Sequence, residues 1–152
     1  MDAKSKKRFT ALEWRAYSSA NPARQPPIPA LFEEAELLSL YSENRPWGAF
    51  YVLDEKPGFK VKRIVVKEGG RLSLQSHKHR YEHWTVVEGT ATVTVDDKVV
   101  TMTRGQAVDI PLHAKHRLEN LHKGEVTIIE VQFGDYLGED DIIRYDDAYA
   151  RT

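Results

Sequence analysis

From Arg45 to Phe133 the chain is a succession of short runs of Val, Ile, Thr and aromatic residues, cut at close intervals by turn-forming residues. No other feature narrows its fold so far. The runs cover residues 49–53, 59–66, 82–87, 90–95, 98–102, 107–110 and 125–133. β-Branched and aromatic side chains suit a pleated, half-buried surface, so these runs predict strands. The breaks are Lys56-Pro57-Gly58, Glu68-Gly69-Gly70, Glu88-Gly89, Asp96-Asp97, Arg104-Gly105 and Lys123-Gly124. Many short strands at such spacing predict an all-β, antiparallel sandwich or barrel. Asp96-Asp97, between two alternating runs, predicts a hairpin turn.

The flanks read differently. Residues 1–28 are polar and then proline-rich, with four prolines between Asn21 and Ala30. Such a stretch cannot continue a helix or sit in a central strand, so an extended arm is expected. Residues 30–41 place Leu31, Ala35, Leu38 and Tyr41 on one helical face, with Glu33, Glu34 and Glu36 near the start, where a helix dipole favours them. A short amphipathic helix packed on the outside of the domain is expected. Residues 136–152, acidic and then arginine-containing, read as a short helix or closing loop. The expected organisation is an arm and helix over 1–41 and one β domain over 45–151.

Inside the strand-rich region lies a donor-bearing pattern, Gly69-x5-Gln75-x-His77-x4-Glu82-x6-Gly89, answered by Gly105-x5-Pro111-x4-His116-x3-Asn120. Residues two apart on a strand share a face, so Gln75 and His77 point the same way. Glu82, read as the first residue of the next strand, shares its face with Trp84 and Val86 and turns inward. His116 arrives from elsewhere in the chain, which allows a three-dimensional cage. Gln75, His77, Glu82 and His116 are therefore the expected ligands of one divalent metal ion with a position open to water or substrate. The mixed nitrogen and oxygen set suits zinc, manganese, cobalt, iron or nickel. Any one of these residues alone would be an ordinary hydrogen-bonded strand residue; the four together at these spacings make the case. His79 keeps the parity of His77 and is expected to face inward nearer the mouth. His83 has the opposite parity to Glu82, and His113 and His122 read as loop residues.

The chain has no cysteine, which excludes disulfides and thiol chemistry. A formal net charge of −1 gives no electrostatic case for nucleic acid or an anionic membrane. The basic N-terminus lacks the apolar core of a signal peptide, and no apolar run is long enough to span a bilayer. A cytoplasmic protein is expected.

Both donor motifs resemble the two motifs of the cupin superfamily, with Gln75 where the first metal histidine usually stands and His113 in place of a glycine. Five stretches resemble type II mannose-6-phosphate isomerases more closely. They are Arg45-Pro46-Trp47-Gly48, Leu72-Ser73-Leu74-Gln75-x-His77 with Arg80-x-Glu82-His83-Trp84, Gly89-Thr90-Ala91, His116-Arg117-Leu118-Glu119-Asn120, and the segment running from Glu130-Val131-Gln132 to Tyr136-Leu137-Gly138-Glu139-Asp140-Asp141-Ile142-Ile143-Arg144. That family is usually met as the C-terminal domain of bifunctional mannose-6-phosphate isomerase/mannose-1-phosphate guanylyltransferases. The resemblance covers residues 45–151 and implies a cupin barrel holding a zinc-type metal and interconverting mannose 6-phosphate and fructose 6-phosphate. No glycine-rich nucleotide-binding segment stands in these 152 residues, so a free-standing isomerase-type domain is expected. Lys78 stands where the family often has histidine, and Ala150 where it has glycine. Neither departure removes a predicted ligand.

An aldose–ketose isomerase moves a proton between C1 and C2 through an enediol. It needs a base, charge stabilisation and a phosphate anchor. The base candidates are His79, Lys62 and Glu130. Arg80, beside the ligands, is the first candidate for the phosphate, followed by Lys62, Arg117 and Arg144. Gln132 shares the face of Glu130 on an otherwise apolar strand and is a further substrate contact. The competing readings are a non-catalytic sugar- or sugar-phosphate-binding module, a metal-dependent cupin oxygenase, and a purely structural dimeric protein. The last leaves the ligand set unexplained. Cupin barrels commonly pair through an outer sheet, so a homodimer is expected.

Overall fold

The computed structural model describes residues 39–150. Among them the chain forms β1 (Tyr41–Arg45), β2 (Gly48–Lys56), β3 (Phe59–Val66), β4 (Leu74–Ser76), β5 (Arg80–Glu88), β6 (Thr90–Val95), β7 (Lys98–Thr103), β8 (Ala107–Ile110), β9 (His116–Glu119), β10 (Val126–Gly134) and β11 (Ile143–Asp146). They make a six-stranded sheet in the order β1-β2-β3-β10-β5-β8 and a five-stranded sheet in the order β11-β4-β9-β6-β7. Every pairing is antiparallel. The all-β expectation therefore holds. No helix among the described residues is long and apolar enough to cross a membrane.

The alternation in β3 is complete: Lys60, Lys62, Ile64 and Val66 are buried while their neighbours are half-exposed. Register turns that pattern into levels. Lys60, Gln132 and Glu82 lie side by side across β3, β10 and β5, and Lys62, Glu130 and Trp84 form the next level. Ile64, Ile128 and Val86 follow, then Val66 and Val126. The interior is thus polar at one end and apolar at the other. Burying each aliphatic side chain at the apolar end contributes about 1.5–3 kcal/mol. The buried charges at the polar end cost stability unless each finds a partner.

Glycine is required at Gly89, between β5 and β6. Its φ is 77°, and a Cβ there would lie 2.3 Å from the Glu125 carbonyl oxygen.

Several expectations need correction. β5 begins at Arg80, two residues before Glu82, because Arg80 still pairs with Gly134 of β10. Strands β1 and β11 give no sequence signal: both are exposed, polar edge strands, and their backbones pair without apolar alternation. The closing region is a loop leading into β11. Tyr41, expected to end a helix, is the first residue of β1. The arm over 1–28 and residues 30–38 of the expected helix lie outside the described residues. The Asp96-Asp97 turn does join a hairpin, with Val95 paired to Lys98.

Candidate metal centre

His77, just past β4, Glu82 on β5 and His116 on β9 bring one ligand atom each to within 4.8 Å of one another, and all three are buried. The two sheets supply opposite sides of this cluster. Glu82 comes from the six-stranded sheet, and His116 and the end of β4 from the five-stranded sheet. Gln75 pairs directly with His116 in register, and its side chain lines the same cavity as Glu82. The Ser73 hydroxyl donates to Gln75 Oε1 at 2.8 Å.

Backbone carbonyls fix both imidazoles. His77 Nδ1 donates to the Asp141 carbonyl at 2.6 Å, and His116 Nδ1 donates to the Ala114 carbonyl at 2.9 Å. A carbonyl can only accept, so each ring turns its Nε2 toward the cluster. Burial pushes the His116 imidazole below its ordinary range, so its Nε2 presents a lone pair. That atom is buried with no hydrogen-bond partner among the described residues. His77 Nε2 lies 3.0 Å from Glu82 Oε1, and His116 Nε2 lies 3.6 Å from Glu82 Oε2. Burial pushes the Glu82 carboxyl up, but hydrogen bonding to His77 and the positive charge around it hold it well below the usual carboxylate range. The unpartnered His116 Nε2 lone pair, facing the ionised Glu82 carboxylate, is satisfied by a cation between them. The donor set therefore fits a divalent metal ion.

The chemistry-bearing side chains gather beside this cluster. A cavity of about 50 Å³ is lined by Lys62, Gln75, Arg80, Glu82, Glu130, Gln132, Glu139 and Arg144, with Trp47, Phe50 and Ile142 among its apolar walls. Arg80 is 3% exposed. Its Nε donates to Glu82 Oε1 at 3.0 Å and its Nη1 to the Gly138 carbonyl at 3.0 Å. Its Nη2 stands 3.4 Å from His77 Nε2. The Trp84 indole donates to both Glu82 and Glu130 at 3.0 Å, and Gln132 Nε2 donates to Glu130 at 2.6 Å. Burial and the neighbouring Glu82 charge push the Glu130 carboxyl from 4.5 up to about 7, against the pull of Lys62 and Arg80. Lys62 pairs with Glu139 and lies over the Phe50 ring at 4.3 Å.

Two predicted residues stand apart. His79 has a side chain 49% exposed, 3.4 Å from Asp135, and is not part of the cavity wall. Residues 77–79 form an irregular turn, so strand parity does not run from His77 to His79. Arg117 has the opposite parity to His116 and Leu118 on β9, and pairs with Asp146 on the outer side.

The fold and the buried cluster meet in the comparisons with known proteins. Residues 33–147 match the sequence model of the family described as mannose-6-phosphate isomerase C-terminal. The chain belongs to that family. It is 56% identical over 108 residues to the xanthan biosynthesis protein XanB of Xanthomonas campestris pv. campestris (strain B100), a match covering 71% of this chain and 23% of XanB. It is also 56% identical over 108 residues to the alginate biosynthesis protein AlgA of Pseudomonas aeruginosa, covering 71% of this chain and 22% of AlgA. The chain thus spans under a quarter of the length of these relatives. Among solved structures, an RmlC-like cupin from Shewanella frigidimarina superposes with a TM-score of 0.57 at 21% identity, over 66% of this chain and 86% of that one. The fold is a cupin barrel.

His113 and Ala150 have left-handed backbones although neither is glycine, with φ of 68° and 50°. The first is the third residue of a turn over 111–114 closed by Ala114 N–H donating to the Pro111 carbonyl at 3.1 Å. That turn also serves the cluster: His113 N–H donates to the His77 carbonyl at 3.0 Å, and the Ala114 carbonyl holds His116.

Sequence reasoning missed Asp141. Besides holding His77 through its carbonyl, its carboxylate accepts the backbone N–H groups of Lys78 at 3.1 Å and His79 at 3.0 Å. It stands in an acidic run that reads as surface. Only its burial distinguishes it from Asp140.

Proposed function

We propose that this domain is a metal-dependent sugar-phosphate isomerase that interconverts mannose 6-phosphate and fructose 6-phosphate through an enediol. The observation that carries the reading is Glu130. A buried carboxyl poised at about 7 lines the same cavity as Glu82 and Gln75. A base near neutrality beside a metal-ligand cluster is what enolisation of a sugar requires.

Bound zinc, with manganese, cobalt, iron or nickel as substitutes, would be held by His77, Glu82, His116 and Gln75 and would polarise the C1 and C2 oxygens as a Lewis acid. Glu130 takes the C2 proton of the open-chain aldose, leaving an enediolate with its charge on O1. The O2 proton passes to O1, and Glu130 returns its proton to C1 as the C2 carbonyl forms. Gln132 and the Trp84 indole hold the Glu130 carboxylate in place. Arg80, committed to Glu82 and the Gly138 carbonyl, supplies positive charge beside the developing enediolate. Lys62 anchors the phosphate, with Arg144 at the opposite cavity wall. His79 and Arg117 take no part in this reading, since neither lines the cavity.

The active form is proposed to be a homodimer in the cytoplasm, where phosphorylated sugars, too polar to cross a bilayer, are retained. A sedimentation profile of a monomer at micromolar concentration would overturn the dimer. The decisive assay follows mannose 6-phosphate conversion by metal-loaded protein, with Glu130→Gln and His77→Ala alongside. Both variants should lose at least about a hundredfold in kcat/KM. Full activity of Glu130→Gln sinks the base assignment. Absence of turnover by metal-loaded wild type on every hexose phosphate leaves a sugar-phosphate-binding module.

A further inference from the structure

Residues 137–141 cross the polar end of the barrel, and their polar groups engage Lys60, Lys62 and Arg80 there. The Leu137 carbonyl accepts from Lys60 Nζ at 2.8 Å, the Gly138 carbonyl accepts from Arg80 Nη1 at 3.0 Å, and the Glu139 carboxylate pairs with Lys62. Lys60 and Lys62 of β3 and Arg80 of β5, on the two strands that flank β10, thus meet one short segment. Its carboxylate is held below the ordinary range because Lys62, then Arg80 and Lys60, outweigh the upward push of burial. The segment is pinned at both sides of Glu139. Tyr136 Oη donates to Asp140 at 2.5 Å, and Asp141 caps the N–H groups of Lys78 and His79. Among the described residues the Glu139 side chain is held by its ion pair with Lys62, and it is 34% exposed.

The space beneath is small. A cavity of about 50 Å³ admits a few water molecules. Small-molecule sites typically enclose several hundred Å³. The dianionic head of a sugar phosphate entering this cavity would seek the same Lys62 that Glu139 holds.

We infer that Glu139 is a built-in anionic plug: its carboxylate occupies the phosphoryl subsite at Lys62, and an incoming phosphoryl group displaces it by swinging its side chain to solvent. The plug rests on the sugar-phosphate reading for the identity of its ligand, but not on turnover. It keeps the buried Lys62 neutralised while the site is empty, which offsets the cost of burying that lysine unpaired; Lys60 has its own partner in Glu55 at 2.9 Å. It also sets a threshold: only a ligand with charge enough to outcompete a carboxylate on Lys62 opens the cavity, so neutral sugars are rejected.

Titrating inorganic phosphate into the metal-loaded full chain, followed by calorimetry, tests this. Glu139→Gln should bind phosphate about fivefold or more tightly than wild type, because the competing charge is gone. Asp140→Asn removes the same charge one residue away and should leave the affinity within about twofold. Lys62→Met should lose binding in both backgrounds. Should the amide variant fail to fold, Glu139→Asp, one methylene shorter, should shift affinity in the same direction. Equal affinities for wild type and Glu139→Gln overturn the plug, as does equal tightening by Asp140→Asn, which would indicate only overall charge. Retained binding by Lys62→Met places the anion elsewhere and also overturns it. Tighter phosphate binding by Glu139→Gln without turnover of any hexose phosphate upholds the plug while removing the isomerase reading.

Discussion

His77 Nδ1 lies 2.6 Å from the backbone oxygen of Asp141, a residue 64 positions further along the chain. This contact presents the His77 Nε2 to Glu82 and ties the closing loop to the metal cluster. The Asp141 carboxylate, meanwhile, clamps the turn that carries His77 into Arg80. Asp141→Ala keeps the carbonyl but strips two backbone N–H groups of their acceptor. Metal affinity should fall by about tenfold or more, and stability by about 1–3 kcal/mol. Competition with a chelating dye and chemical denaturation measure the two effects. Unchanged affinity would mean that the loop backbone holds itself.

His77→Ala and His116→Ala should each lose metal binding by more than about a hundredfold, since each removes one of the nitrogens facing Glu82. His83→Ala is the control. Its ring lies on the exposed side of β5, 2.7 Å from Asp109, and its loss should leave the metal content unchanged. Elemental analysis after reconstitution reads all three.

Glu130 makes stability depend on pH in an uncommon direction. Its carboxyl is raised from 4.5 to about 7 in the folded chain, so between those values the folded state binds more protons than the unfolded one. Its contribution is complete below the unfolded value and is lost as pH rises through 7. Metal-stripped wild type should therefore lose stability between about pH 4.5 and 7 relative to Glu130→Gln. The variant should be the more stable at pH 8 by an amount on the order of 1–3 kcal/mol. Parallel denaturation profiles for the two proteins across this window would show that Glu130 ionises at an ordinary value. In the isomerase reading, kcat/KM should also rise with pH as Glu130 becomes able to accept a proton, at a pH below that of the metal-free chain because a cation on Glu82 offsets the charge that raises Glu130.

Two left-handed residues offer a gain in stability. His113 and Ala150 carry φ of 68° and 50°. A Cβ at such angles costs about 1–2 kcal/mol that glycine avoids, less what glycine adds to the freedom of the unfolded chain. His113→Gly and Ala150→Gly should each raise the melting temperature by about 2–5 °C. A fall at His113 would show that its side chain contributes more than its backbone strains.

The strands with strong alternation were legible because each buries one face: β3, β6 and β8 have the boundaries that their apolar runs predict. The edge strands β1 and β11 were not, because an exposed strand needs no pattern beyond a partner for its backbone. Of the site, the residue types and spacing pointed to His77, Glu82 and His116, and the structure brings them together. Parity misplaced His79, since alternation ends where the strand ends. Arg80, read as the first candidate to hold the phosphate beside the ligands, is a buried partner of Glu82.

The sequence by itself determined that strands would form, where most of them lie, and which donors face inward along each of them. Those properties follow from local backbone geometry and the period of two. Only the tertiary structure decided which carbonyls orient the imidazoles, which carboxyl is pushed to about 7, and which acid sits on Lys62. Each depends on groups brought together across two sheets and a closing loop. Burial and neighbouring charge act through space, and the residues involved are separated by tens of positions along the chain.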